Sequence, residues 1–238
     1  NGFIEDFSKG GLCREMVIDP LNPERILLAT TNGVYRSENA GSPSVAWKNV
    51  TRNSPAGTQD FRGLALKPDE PGTIYISGTD IYRSTDGGDT WHTITGPAFN
   101  LDLDQMPDQF EVKRINIAVT PADPERVYAY ILGTKTENGK NFDGAHIALF
   151  EDEKWRIIDS RWTAGLTYFA INWIAIAVSP VDANVVYYGN TRAIGSENID
   201  SIPFGLRSPY SGNGFHADIH DLKFQPNMQN PGLFCGNH

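Results

Sequence analysis

The chain has 238 residues, 39% of them hydrophobic and 11% aromatic, enough to bury the core of one large domain. Its formal net charge of −9 sets it against the polyphosphate backbone of nucleic acid and favours solubility. No apolar run reaches the length of a membrane span. Asn1–Phe7 lack the basic start and apolar stretch of a signal peptide.

The elements follow one succession. The first is the alternating run Met16-Val17-Ile18-Asp19, closed by Pro20. A polar turn, Leu21-Asn22-Pro23, leads to a second strand, Ile26-Leu27-Leu28, and then a third, Val34-Tyr35-Arg36-Ser37. The same order returns at Leu64–Pro68, with Ile74-Tyr75-Ile76 and Ile81-Tyr82-Arg83-Ser84. It returns again at Ile117–Pro121, with Val127-Tyr128-Ala129 and Ala148-Leu149-Phe150, and at Ile176–Pro180, with Val185-Val186-Tyr187 and Ala193-Ile194-Gly195-Ser196. A last copy, Leu222–Pro226, is followed by Leu233-Phe234-Cys235. The five prolines stand 48, 53, 59 and 46 residues apart. Proline has no N–H and a fixed φ, so it ends a strand and opens a turn. A repeat of about 40–50 residues built from four short strands has the size of a propeller blade, which buries both faces only by stacking on its neighbours.

The predicted fold is therefore all-β, with almost no helix: a β-propeller of four-stranded antiparallel blades, with about four and a half blades present. Residues 1–238 read as one partial propeller, with blades over approximately 8–56, 57–107, 108–168, 169–215 and an incomplete 216–238. The half blade predicts that the native chain continues beyond His238, and Gly2-Phe3-Ile4 reads as a remnant of a preceding outer strand. Cys13 and Cys235 are not a disulfide scaffold and read as buried free thiols; a bridge would need the two chain ends to meet.

Between the third and fourth strands the second copy carries Ser84-Thr85-Asp86-Gly87-Gly88-Asp89-Thr90-Trp91. Here the chain resembles the Asp-box, or BNR, repeat superfamily, whose S-x-D-x-G-x-T-W pattern is met by Ser84, Asp86, Gly88, Thr90 and Trp91. Such a turn needs an Asp to accept backbone N–H groups and a Gly at positive φ, and Trp91 is large enough to lock blade to blade. The other copies depart from it: Ser37-Glu38-Asn39-Ala40-Gly41 reaches Trp47 late, Glu151-Asp152-Glu153-Lys154-Trp155 is shortened, and Ser196-Glu197-Asn198 has no Trp. That decay favours a structural clip over a catalytic site. The superfamily includes sortilin-like receptors, xyloglucanase-like enzymes and sialidase-like proteins. The resemblance is nearest to secreted bacterial propellers exported with a C-terminal sorting domain, which carry a segment similar to Phe215–Leu222. It implies a secreted or cell-surface protein.

Three sets of residues are candidates for chemistry. In a strand His216, Asp218 and His220 share one face, a donor set for a divalent metal such as zinc; the competing reading is a hydrogen-bonded polar cluster at the start of an inner strand. No other cofactor is indicated. Counting back from the prolines places Arg14, Arg62, Arg114, Asn172, Asp218 and His220 near one mouth of the central channel, where arginines would hold a carboxylate or sulfate. Against this, Glu15, Asp60 and Glu111 are available to neutralise them, and the arginine–isoleucine–proline motif of sialidases is missing. Glycoside hydrolysis needs two carboxylates across a sugar, for which Asp60, Asp102, Asp104, Asp108, Asp218 and Asp221 are candidates in an acidic chain. Gly96–Glu111 reads as a calcium loop or, without EF-hand spacing, a solvated loop. Trp162–Trp173 reads as sugar-stacking or blade core, and Asn49-Val50-Thr51 is a glycosylation sequon. The functional expectation is a module binding a protein or glycan partner; the alternative is a glycoside hydrolase acting on a polysaccharide.

Overall fold

The computed structural model describes residues 11–106, 110–164, 174–189, 194–199, 219–225 and 231–236. Every sheet in it is antiparallel, with strands joined in sequence order. Three sheets have four strands: β1–β4 (Cys13–Ile18, Ile26–Thr30, Gly33–Ser37, Lys48–Asn49), β5–β8 (Gly63–Lys67, Glu70–Ser77, Ile81–Ser84, His92–Thr93) and β9–β12 (Glu111–Val119, Val127–Glu137, Lys140–Glu151, Lys154–Ala164). Three strands of a fourth sheet, β13–β15 (Ala175–Val178, Val185–Gly189, Ile194–Asn198), and two of a fifth, β16–β17 (Asp221–Phe224, Leu233–Gly236), are also described. The helical segments among the described residues are two three-residue 3-10 turns, Pro97–Phe99 and Leu103–Gln105.

In three sheets the residue before the repeat proline holds the turn that follows the first strand. Asp19 Oδ1 accepts from the amides of Leu21 (2.8 Å) and Asn22 (3.3 Å). Ser179 Oγ accepts from Val181 and Asp182, both at 3.3 Å, and Thr120 Oγ1 accepts from Ala122 at 3.2 Å. Short polar side chains in this position fold the chain back without a glycine.

The described residues form two compact units, one up to Thr95 and one from Gly96. In the first, the facing surfaces of sheets β1–β4 and β5–β8 bury Leu27, Val34, Phe61, Ile74, Ile76 and Trp91. In the second, Tyr128, Tyr130 and Leu149 of the β9–β12 sheet pack on Ile176, Val186 and Tyr188 of the β13–β15 sheet. Ala175 and Ala177 then cover Ile219 and Leu222, with the rings of Tyr187 and Phe224 edge to face at 5.3 Å.

The β9–β12 sheet departs from expectation. Its last three strands have 11, 12 and 11 residues where short ones are expected. The extension ends in a two-residue hairpin turn, Asn138-Gly139, with both φ positive at 52° and 72°. This Asn-Gly pair is the strongest short hairpin signal a sequence can carry. In the shortened copy Asp152 and Glu153 take positive φ (51° and 59°) in a tight two-residue turn joining β11 to β12. The third copy keeps only the tryptophan, Trp155, buried against Phe150 at 5.0 Å.

Candidate functional site

Arg14 stands on β1 at a break in register: Cys13 opposes Thr30 and Glu15 opposes Ala29, which leaves Arg14 as the extra residue of a β-bulge. A bulge twists its strand and re-aims the side chain it carries. Arg62 lies just before β5, tied to the sheet by its N–H to Ser77 O at 2.9 Å. Both guanidinium groups converge on Asp60. Arg14 binds it through Nε to Oδ1 at 3.0 Å and Nη2 to Oδ2 at 3.2 Å, and Arg62 through Nε and Nη2 to Oδ2, both at 2.9 Å. All three side chains keep contact with solvent, Arg14 at 27%, Arg62 at 18% and Asp60 at 35% of full exposure. Among the described residues, the two arginines share this one carboxylate.

The loop carrying Asp60 is held close to the one opposite it. Gln59 Nε2 donates to Ala56 O at 2.9 Å, and Gln59 Oε1 accepts from the N–H and hydroxyl of Thr79. Gly78 is the residue that lets them approach. A Cβ there would stand 2.5 Å from Gln59 Oε1 and 3.0 Å from Asp60 O.

Of the proline-aligned residues, Arg14 and Arg62 belong to the first unit and Arg114 to the second. Arg14 and Arg62 come together on Asp60, as the neutralising alternative foresaw for that acid. Arg114 is in the second unit, 7% exposed, with its Nε on Asn116 Oδ1 (3.0 Å) and its Nη2 on Ile174 O (3.3 Å). Glu111 is not its counter-ion but pairs with Lys113. Asn172, His216 and Asp218 lie outside the described residues. His220 is exposed just ahead of β16, with its N–H on Gly236 O at 2.8 Å. Among the described residues no group of three His, Cys, Asp or Glu is placed to hold a metal ion.

Other candidates resolve locally. Asp102 accepts from Asp104 N at 3.2 Å at the start of a 3-10 turn, and Asp221 accepts from Leu222 N at 2.9 Å. Asp108 and residues 165–173 of the aromatic stretch lie outside the described residues. The sequon asparagine is built into a turn: Asn49 Oδ1 accepts from Thr51 and Arg52, while its Nδ2 donates to Asn32 O at 3.0 Å. Both thiols are free, but Cys13 is exposed rather than buried, and Cys235 is partly so. Partial loss of water around each sulfur raises its pKa, helped by the charge of Glu15 at Cys13 and of Asp221 at Cys235.

The turn from Ser84 to Trp91 is built around one carboxylate. Asp86 accepts from the Thr90 hydroxyl (2.6 Å), the Ser84 hydroxyl (2.7 Å) and the amides of Thr90 (2.8 Å) and Asp89 (3.0 Å). Gly88, at φ 94°, donates its N–H to Ser84 Oγ at 2.8 Å. Partial burial pushes the Asp86 carboxyl up, but the bonds from Thr90, Ser84 and Asp89 outweigh it and bring the pKa down to about 2. Trp91 is buried between the two sheets of the first unit, with Nε1 on Val50 O at 3.1 Å. From the other sheet, Arg36 reaches Gly87 O at 2.5 Å and Asp89 Oδ1 at 2.9 Å. This clamp was foreshadowed only by the recurrence of Tyr35-Arg36-Ser37 as Tyr82-Arg83-Ser84. In the first copy Asn39 takes the place of Asp86, accepting from Ser37 Oγ (3.3 Å) and Ala46 N (2.9 Å) across a longer loop.

These antiparallel four-stranded sheets define an all-β protein, and the likeness to one solved structure, an ancestral GH74 enzyme, supports a propeller-type fold. An ancestral GH74 enzyme matches 92% of this chain at 18% identity with a TM-score of 0.56. A GH74 enzyme from Niastella koreensis matches 76% at 20% identity and 0.48. The chain spans 32% and 26% of the length of those two structures. At these identities the likeness is one of fold. No protein-family model and no curated protein sequence matches the chain.

Proposed function

We propose that this chain is part of an Asp-box propeller, secreted or at the cell surface, that binds a glycan rather than cleaving one. The observation that carries the reading is Asp60. It is a candidate carboxylate held by two arginines in the forked geometry by which guanidinium groups bind anions. The resemblance of the Ser84–Trp91 turn to the Asp-box pattern and the fold likeness to a GH74 enzyme support the glycan side of the reading. The blade limits near 56, 107, 168 and 215 belong to the same proposal, as does a divalent metal on His216, Asp218 and His220.

The test is a panel of soluble polysaccharides assayed twice with the purified chain, once for binding and once for release of reducing ends. Binding without release is the expected result. A second reading, a glycoside hydrolase, is favoured by the same fold likeness and would replace the first if reducing ends accumulate.

A further inference from the structure

The arginine pair has more donors than its acid can use. A guanidinium carries five N–H groups and a carboxylate only accepts. Asp60 engages Nε and Nη2 of both Arg14 and Arg62, which leaves the Nη1 groups and half of each Nη2 without an acceptor among the described residues, at a partly exposed surface. The bulge at Arg14 and the close approach at Gly78 both act on the position of this cluster, one on the donor and the other on the loop of Asp60. Salt bridges that only neutralise surface charge need neither device and contribute little.

We propose that Arg14, Asp60 and Arg62 form a binding site for a hydroxylated carboxylate of the uronic acid class. The inference rests on the glycan-binding reading and names its ligand chemistry. The spare guanidinium N–H groups take the ligand carboxylate. Asp60 decides between ligands, because its Oδ1, which takes a single bond from Arg14 among the described residues, keeps an acceptor lone pair beside those donors. A sugar acid offers hydroxyl donors next to its carboxylate and satisfies both sides of the site. An acidic peptide side chain brings acceptors alone and sets them against Asp60. The net charge of −9 opposes any anion at long range, but at physiological salt charges beyond about 8 Å are largely screened.

The probes are a galacturonic acid trimer, its fully methyl-esterified form and a triglutamate peptide, each titrated into the purified chain by calorimetry. The trimer is expected to bind at least about tenfold more tightly than the ester, which keeps the hydroxyls and loses the charge. Arg62→Ala and Arg14→Ala are each expected to remove most of that difference, with unchanged melting temperature as the folding check. Arg62→Lys, which keeps the charge but loses the fork, covers the case in which Arg62→Ala fails to fold, and it should also weaken trimer binding. Equal binding of trimer and ester would overturn the uronate assignment and leave glycan binding standing. Triglutamate binding as tightly as the trimer would transfer the site to acidic peptides and overturn it too. If neither trimer, nor ester, nor any polysaccharide of the wider panel binds, the glycan reading itself falls.

Discussion

Trp91 combines a large ring with a single N–H, and the first unit uses both. The ring fills the space between Leu27, Val34, Ile74 and Ile76, and the N–H satisfies Val50 O across the sheet interface. Trp91→Ala is expected to destabilise the chain by about 3–5 kcal/mol, the range for large aromatic truncations, and Trp91→Phe by less, as read from chemical denaturation. Asp86 answers to pH. Its folded pKa of about 2 lies below its ordinary value of 3.8, so its contribution is complete above about pH 4 and is lost as pH falls through about 2. The difference in stability between the parent and Asp86→Asn should therefore shrink between pH 4 and 2; a constant difference would show that the carboxylate charge is not what the turn uses. Residues such as these were legible because five defined positions of the pattern coincide with one turn. Arg14 and Arg62 were legible as aligned arginines with Asp60 among the acids available to neutralise them. Their meeting on Asp60 depends on a bulge and a glycine whose backbone geometry no residue type declares.

At the scale of elements, the first two strands of every sheet could be read from alternation closed by proline, because that proline and its polar predecessor impose the turn chemically. The long strands β10 and β11 were harder. Val127 to Phe150 mixes apolar runs with Gly133, Thr134, Lys135 and Thr136, so periodicity alone reads it as a short strand and a loop. Asn138-Gly139 is the deciding signal, since the two residues accept the positive φ that a tight hairpin needs. Gly133 has a separate reason to be glycine: a Cβ there would stand 2.2 Å from Glu111 O and 2.6 Å from Phe110 Cζ, beside the register shift in β9. Gly133→Ala is expected to cost about 1–3 kcal/mol through overpacking against backbone that cannot yield, measured as a lowered melting temperature. Gly139→Ala, where the space is open but φ is 72°, should cost less, about 1 kcal/mol, from backbone strain alone.

For the whole molecule, the sheets share a gradient from paired centre to thin edge. In the first four sheets the second strands lie between two partners and are deeply buried, as at Leu27, Ile74, Ile76, Tyr128 and Val186. The fourth strands of the first two sheets, Lys48–Asn49 and His92–Thr93, are two residues long and hold one edge each. Local opening at such an edge exposes few apolar contacts, whereas opening a central strand breaks two ladders and the core together. Amide hydrogen exchange on the intact chain is expected to rank accordingly: slowest at Leu28, Ile74, Ile76, Tyr130 and Val186, and faster by orders of magnitude at Lys48 and His92. The same experiment bears on the inserted length of β10 and β11. Their amides near Thr134 and Phe142 should be slower than those of Lys48 and faster than those of Tyr130, because pairing in that part of the sheet continues while burial thins out. Uniform protection along β10 would mean that the extension is packed as firmly as the core, and protection no better than at Lys48 would mean that the hairpin opens independently of the sheet it grows from.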